Sequence, residues 1–403
     1  MYNSNKRLLL GGALITQLGD FVFEFAIKWW VAAVSGSAML LAIILSIETL
    51  FSVFFNAIGG VLADARNKKK ILIVTDIISG FACFILWFFI KENEVNVVLV
   101  SIINVVLAIT YSFYSPTVKS IVTNVIDKDS IVKFNASLNG ISELIKISGP
   151  VIGLFLIGLI GIKGIFLVNG ISFLAAAFLE SRIKYTYNPE NNKQTSNDYK
   201  TVWEDFKKGL IYIKNHKQLM RILLLASLVN FFLAGYILIL PFHSLDFFTS
   251  NMYAKVLLFQ SLGGVLATFI THRFEKKVEM IPLPYFLLLT GITLLPVFIT
   301  VNQIVFIVCI FAYGFFITLF NISFISYIQL NSDENYLGRI FSVVFTVAIL
   351  CMPFGNFFFG WLYSYTSENT LSIIGISVVI LSSIYVISEN RHIVPVENSH
   401  NQA

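Results

Sequence analysis

Twelve apolar runs, each about twenty residues or longer, fill the 403-residue chain, at 8–34, 38–62, 71–90, 95–117, 133–160, 163–181, 219–242, 253–272, 281–299, 302–325, 339–364 and 370–388. About twenty apolar residues in a helix cross the hydrocarbon core of a bilayer. A segment in lipid must satisfy its own backbone hydrogen bonds, so runs of this length are expected as helices. Only 13% of the residues are charged, against about 25% in soluble globular domains. The composition is that of an all-α membrane protein, with no room for a large extramembrane catalytic domain.

One break is long. Between the sixth and seventh runs the stretch Asn188 to Asp198 is polar, and it divides the spans into two sets of six. The expected organisation is an N-terminal six-helix bundle at 1–184, a cytoplasmic linker with an amphipathic helix at 185–218, a C-terminal bundle at 219–390 and a cytoplasmic tail at 391–403. Within the linker, Trp203, Phe206, Leu210 and Ile213 recur at helical spacing opposite Glu204, Asp205, Lys207 and Lys208. Such a helix lies on the membrane surface or against the cytoplasmic ends of the spans.

Basic residues fix the orientation. Alternate loops on one side hold Lys6, Arg7, Arg66, Lys68, Lys69, Lys70, the nine from Arg182 to Arg221, and Arg273, Arg339 and Arg391 among others. The opposite side holds Lys91, Lys163 and Lys255. Both termini and the linker are therefore expected to be cytoplasmic, in a multi-pass protein of the cell membrane. The net charge of +5 belongs to this bias and does not call for a nucleic-acid partner. Asp20 and Glu24 mark the first run as a transmembrane helix, with no cleaved signal peptide in evidence.

An internal repeat supports the two halves. Phe55-Asn56-Ala57-Ile58-Gly59-Gly60-Val61-Leu62-Ala63 in the second run returns as Phe259-Gln260-Ser261-Leu262-Gly263-Gly264-Val265-Leu266-Ala267 in the eighth. Both copies run toward the basic side, so the repeat is parallel, as in transporters whose halves are related by an axis along the membrane normal.

Two motifs then carry a family resemblance. Gly60-x-x-x-Asp64-x-x-x-Lys68-Lys69, with Arg66 between, resembles the loop between spans two and three of the major facilitator superfamily. Ala65 stands where that family has a basic residue, and Asn67 stands where it has glycine; Asn tolerates a left-handed turn better than most residues. In the fifth run, Gly140 and, nine residues on, Gly149-Pro150-x-x-Gly153 resemble the Gly-Pro motif of the superfamily's drug/proton antiporters, with Ile145 and Leu154 at two positions that are usually glycine. Gly19-Asp20, Trp29-Trp30, Gly36-Ser37-Ala38 and Phe134-Asn135-Ala136-Ser137-Leu138 resemble the macrolide-efflux-like branch. The resemblance implies twelve transmembrane helices in two pseudo-symmetric six-helix bundles that rock around a central cavity. It also implies a loop at Gly60, Asp64, Arg66, Lys68 and Lys69 that gates the cytoplasmic side.

Charges placed in a span are costly and call for a cavity or a partner. Asp20, Glu24, Lys28, Glu48, Glu143 and Lys146 are such residues. At about 1.5 Å per residue, Asp20, Glu48 and Glu143 fall roughly 15–18 Å from the near ends of their spans, close to the midplane. Asp20, Glu24 and Lys28 share one helix face. Lys28 reads first as an interfacial anchor beside Trp29 and Trp30, and otherwise as the partner of Glu24. Glu143 and Lys146 are spaced for an ion pair. A carboxyl in a partly dry cavity can take up and release a proton, so Asp20, Glu24, Glu48, Glu143 and Lys146 are the candidates for proton and substrate coupling. Tyr111, Phe113, Tyr114 and Phe320 are candidate linings for an amphipathic compound.

The sequence holds no Walker loop, its five histidines are dispersed, and Cys83, Cys309 and Cys351 lie singly in apolar runs. No catalytic residue, metal or cofactor is expected. The expected function is secondary transport, as a monomer, of a small-molecule substrate against protons across the lipid bilayer: efflux of hydrophobic or amphipathic compounds such as macrolide-like antibiotics. Export of an endogenous siderophore or peptide is the alternative, and a polytopic membrane enzyme is the alternative of a different class.

Overall fold

A computed structural model describes residues 2–65, 67–127, 130–185, 199–274, 283–298, 302–330, 332 and 337–390. These residues are helical almost throughout. In chain order the helices are α1 (Tyr2–Ser35), α2 (Ala38–Ala65), α3 (Lys68–Phe89), α4 (Val97–Val125), α5 (Ile131–Ser181), α6 (Tyr199–Asn215) and α7 (Lys217–Asp246). They continue with α8 (Met252–Arg273), α9 (Leu283–Thr293), α10 (Gln303–Leu330), α11 (Leu337–Leu350), α12 (Met352–Thr366) and α13 (Thr370–Asn390).

Among the described residues, nine helical stretches are long and apolar enough to cross a membrane, and a shorter apolar one covers Leu283–Val297. Two of the nine, Lys133–Ser181 and Arg339–Ile387, are 49 residues long, twice what a bilayer needs. Each contains two spans, which together with the short segment accounts for the twelve runs. The first is broken at Gly161, whose φ of 70° and ψ of 174° suit a residue without a Cβ. The second is broken at Ser367, with φ 22°, between α12 and α13.

Helix ends depart from the hydropathy pattern where local chemistry extends them. The fourth span continues through Pro116 to Val125, two turns past the apolar run. Asn67 is not left-handed: at φ −66° and ψ 103° it caps α3, its side chain accepting from the Lys70 N–H at 3.1 Å.

The chain forms two compact units, Met1–Leu258 with Ser332–Ser367, and Phe259–Asn331 with Glu368–Ala403. In the first, Leu9, Leu72, Ile121, Phe134 and Ile183 gather the basic-side ends of α1, α3, α4 and α5 into one apolar cluster. Asn5 ties it together, donating to the carbonyls of Val125 (3.2 Å) and Lys184 (3.0 Å) and accepting from the Lys184 N–H at 2.9 Å. In the same unit α12 packs on both α2 and α7, with Gly360 against Ala38 and Ala42. The amphipathic helix α6 lies against the start of α11, where Gly209 meets the backbone of Arg339 and Ile213 is fully buried. Leu210, expected on the buried face, is 40% exposed. Side chains at Trp203 and Asp205 lie outside the described ones.

The second unit is held by close backbone approaches at small residues. Gly291 and Gly375 face each other where α9 meets α13, Gly263 sits on the Phe311 carbonyl, and Ser372 donates to the Leu294 carbonyl at 3.2 Å. Large apolar side chains such as Phe54, Phe88, Phe155 and Phe269 are more than 60% exposed. Such a surface is stable against hydrocarbon and not against water.

Candidate functional site

Within the first unit a cavity of about 450 Å³ opens among α1, α2, α3, α4 and α5. The helix period sets what α1 shows it: Thr16, Gln17, Asp20, Glu24, Ile27 and Lys28 form one stripe along its wall. From α2 come Leu45, Glu48 and Ser52; from α3, Thr75, Asp76 and Ser79; from α4, Asn104, Thr110, Tyr111 and Tyr114; and from α5, Ser142, Ile145, Lys146 and Phe173. The site is a mixed surface of apolar and aromatic faces with a few convergent polar groups, the usual make-up of a small-molecule pocket.

The charges are sorted by their partners. Glu24 and Lys28 form an ion pair at i, i+4, with the Lys28 side chain 11% and the Glu24 side chain 59% exposed. Lys28 is thus buried and paired, and not the interfacial anchor that its place beside two tryptophans suggested. Trp30 is itself buried, donating to the Glu92 carbonyl at 2.8 Å. Glu143 and Lys146 pair at 2.7 Å, both more than half exposed. Asp20 and Glu48 take part in none of the described ion pairs, and both stand close enough to Glu24 to feel its charge. Across the cavity floor Ser142 donates to Gln17 at 2.6 Å, joining α1 to α5.

The Gly-Pro motif supports that wall from behind. Added Cβ atoms at Gly149 and Gly153 would run into the rings of Phe21 and Phe25, so α5 approaches the acid-bearing helix as closely as glycine allows. Pro150 lies between them inside α5. Gly140 does not share this role, because its Cβ would meet nothing within 4 Å.

Of the gate-loop residues, Gly60 and Asp64 belong to the last turns of α2 and their side chains lie outside the described ones, as does Arg66 altogether. Lys68 is placed: its ammonium donates to the Ser120 carbonyl at 3.2 Å and to Asn124 at 3.0 Å, clamping the start of α3 to the end of α4. Lys69 follows it in the first turn of α3.

Of the four aromatic candidates, Tyr111 and Tyr114 line the cavity. Phe113 faces instead a groove between α3 and α4. Phe320 is buried in the second unit, stacked on Phe324 at 5.8 Å. Two acids were missed by the sequence reading, Asp76 and Glu180, which are 2% and 1% exposed. The signal for Asp76 was present, a carboxylate inside the third apolar run. Glu180 sits beside Arg182 at the end of its span and reads as an ordinary boundary charge.

The sequence profile described as the Major Facilitator Superfamily matches residues 9–356. Macrolide efflux protein A of Streptococcus pyogenes is 22% identical over 357 residues, covering 85% of each chain. The Staphyloferrin A transporter of Staphylococcus aureus is 20% identical over 397 residues, covering 95% of this chain and 96% of its own. Among solved structures, the nucleoside transporter NupG superposes with a TM-score of 0.77 at 12% identity, over 95% of this chain and 98% of that one. This likeness is one of fold.

Proposed function

The chain belongs to the major facilitator superfamily, and on that premise we propose that it exports hydrophobic or amphipathic compounds, such as macrolide-like antibiotics, in exchange for protons. The observation that carries this reading is Asp20. It faces a cavity of about 450 Å³, within the range of about 300–1,000 Å³ that accommodates small organic molecules, and no described cation neutralises it. A carboxyl so placed is suited to exchanging a proton while a substrate occupies the apolar and aromatic faces beside it. Glu48 shares the cavity, whereas Glu24 is held by Lys28 and Glu143 by Lys146.

In this reading the protein is a monomer in the cell membrane with both termini cytoplasmic, its two halves are 1–184 and 219–390, and the first of them carries the cavity. It performs no chemistry on its substrate. Relatives named for macrolide efflux support the substrate class. Export of an endogenous product is the second reading, favoured by the relatives named as a Staphyloferrin A transporter and as a bacilysin exporter.

The test is a panel of toxic amphipathic compounds, macrolides included, applied to cells with and without the protein. Raised tolerance that a protonophore abolishes is the expected result. Unchanged tolerance across the panel, with an endogenous product retained in cells lacking the protein, would replace the first reading by the second.

A further inference from the structure

Below Asp20, toward the basic side of the protein, a second carboxyl site lies off the cavity. Asp76 on α3 lines the cavity, eight residues and so about 12 Å into its helix. Its carboxyl faces that of Glu180, at hydrogen-bonding range. Glu180 stands one residue before the end of α5 at Ser181, yet its side chain is turned inward against Gly12 of α1. Asp76 Oδ2 and Glu180 Oε2 are both buried with no donor from the protein. The groups around them are also accounted for. The Tyr114 hydroxyl of α4 hydrogen-bonds to Glu180, Thr16 and Asp20 come from α1, and Lys28–Glu24, Lys91–Glu94 and Lys146–Glu143, the described ion pairs, include neither acid.

Two carboxyl groups can hydrogen-bond to each other only when one carries a proton, and two bare carboxylates at that range, buried without a cation, would repel strongly. The arrangement therefore makes sense as a binding site for a single proton. Its placement gives that proton a direction of travel. Asp20 looks into the cavity, Asp76 shares the cavity with it, and Glu180 carries the line on to the end of the span.

We propose that Asp76 and Glu180 share one proton and form the inner station of the proton path, between Asp20 and the basic-residue-rich face of the membrane. Asp20 becomes anionic as its proton passes across the cavity to the pair, which then holds two, and Glu180 releases one to water at the membrane face, so the pair alternates between two protons and the shared one and is never left as two bare carboxylates. The relay rests on the proton-coupled reading of the cavity; the shared proton does not.

The experiment uses the full chain in proteoliposomes and has two arms. Infrared difference spectra between acid and alkaline pH need no substrate. They should show a hydrogen-bonded protonated carboxyl that is lost in Asp76→Asn and in Glu180→Gln and kept in Asp20→Asn. In the second arm, macrolide transport driven by an imposed pH gradient should fall about 100-fold in Asp76→Asn, the scale of losing a positioned proton carrier, and recover in Asp76→Glu. Should Glu180→Gln fail to fold, Glu180→Asp, which keeps the acid and lengthens the gap, should shift the band. A band unchanged in Asp76→Asn would overturn the shared proton, and wild-type gradient-driven transport in that variant would overturn the relay. A wild-type protein indifferent to the gradient would overturn the coupling reading and the relay with it, and the infrared arm would then decide the shared proton alone.

Discussion

Glu24 and Lys28 are paired one turn apart on α1, and the carboxyl one turn before them, Asp20, is left to the cavity. Three charges at equal spacing on one helix face thus divide into a neutral pair and a lone acid. The pair lets a lysine stand deep in the helix wall without the full cost of an isolated charge, while the acid keeps its freedom to titrate.

Asp20→Asn preserves size and hydrogen bonding and removes the titration. Export against a gradient should stop, while downhill exchange persists in part; transport into inverted vesicles with and without a pH gradient measures both. Glu24→Gln strands Lys28 and should instead lower stability, by on the order of 1–3 kcal/mol, less than for a fully buried pair because Glu24 is 59% exposed. Detergent thermal unfolding checks that. Uphill export by Asp20→Asn at the wild-type rate and pH dependence would move the carrier role to Glu48.

The glycine motif separates by contact. Gly149→Leu would drive a side chain into Phe21 and displace the acid-bearing helix, with a cost of about 1–3 kcal/mol from overpacking and a loss of transport. Gly140→Ala meets open space and should stabilise its helix by roughly 0.5–1 kcal/mol with transport intact. Equal damage from both would mean that the motif works through the backbone of α5 and not through its fit to α1.

Much of this molecule is legible in its hydropathy, because lipid imposes one rule on every span. The breaks at Gly161 and near Ser367 fall where the apolar runs part. What hydropathy does not carry is the direction in which a side chain points. Gly140 and Gly149 belong to one motif, yet only the second lies under a ring of α1. Phe113 and Tyr114 are adjacent, and a rotation of about 100° per residue sends one to a groove and the other to the cavity. Glu180 looks like a boundary charge because nothing in its own segment shows that Asp76 and Tyr114, 104 and 66 residues before it and on other helices, close over it.

Topology offers a direct check on the basic-side assignment. A reporter active only outside the cytoplasm should be silent when fused after Arg391 and active when inserted near Asn93, in the turn between α3 and α4. The reverse pattern would overturn the twelve-span order and the direction assigned to the proton.

Gly360 of α12 provides the test of movement. It packs on α2 where a Cβ would stand 3.0 Å from that of Ala42 and 3.4 Å from the Ala38 carbonyl, and Ser46 donates to the Pro353 carbonyl at 3.5 Å along the same seam. Contacts this close at small residues hold two helices mainly by packing, so a larger side chain acts as a wedge. If transport requires this seam to open and close, Gly360→Leu should disfavour the closed arrangement and shift the population toward the open one. Cysteines at Ala42 and Gly360 would then report the shift in the other direction: in an otherwise cysteine-free chain they should cross-link readily, and the cross-linked protein should bind substrate from one side only and transport none. Gly360→Leu protein that transports at the wild-type rate, together with a cross-linked pair that leaves transport intact, would show that the seam is a static joint and that the moving surface lies elsewhere.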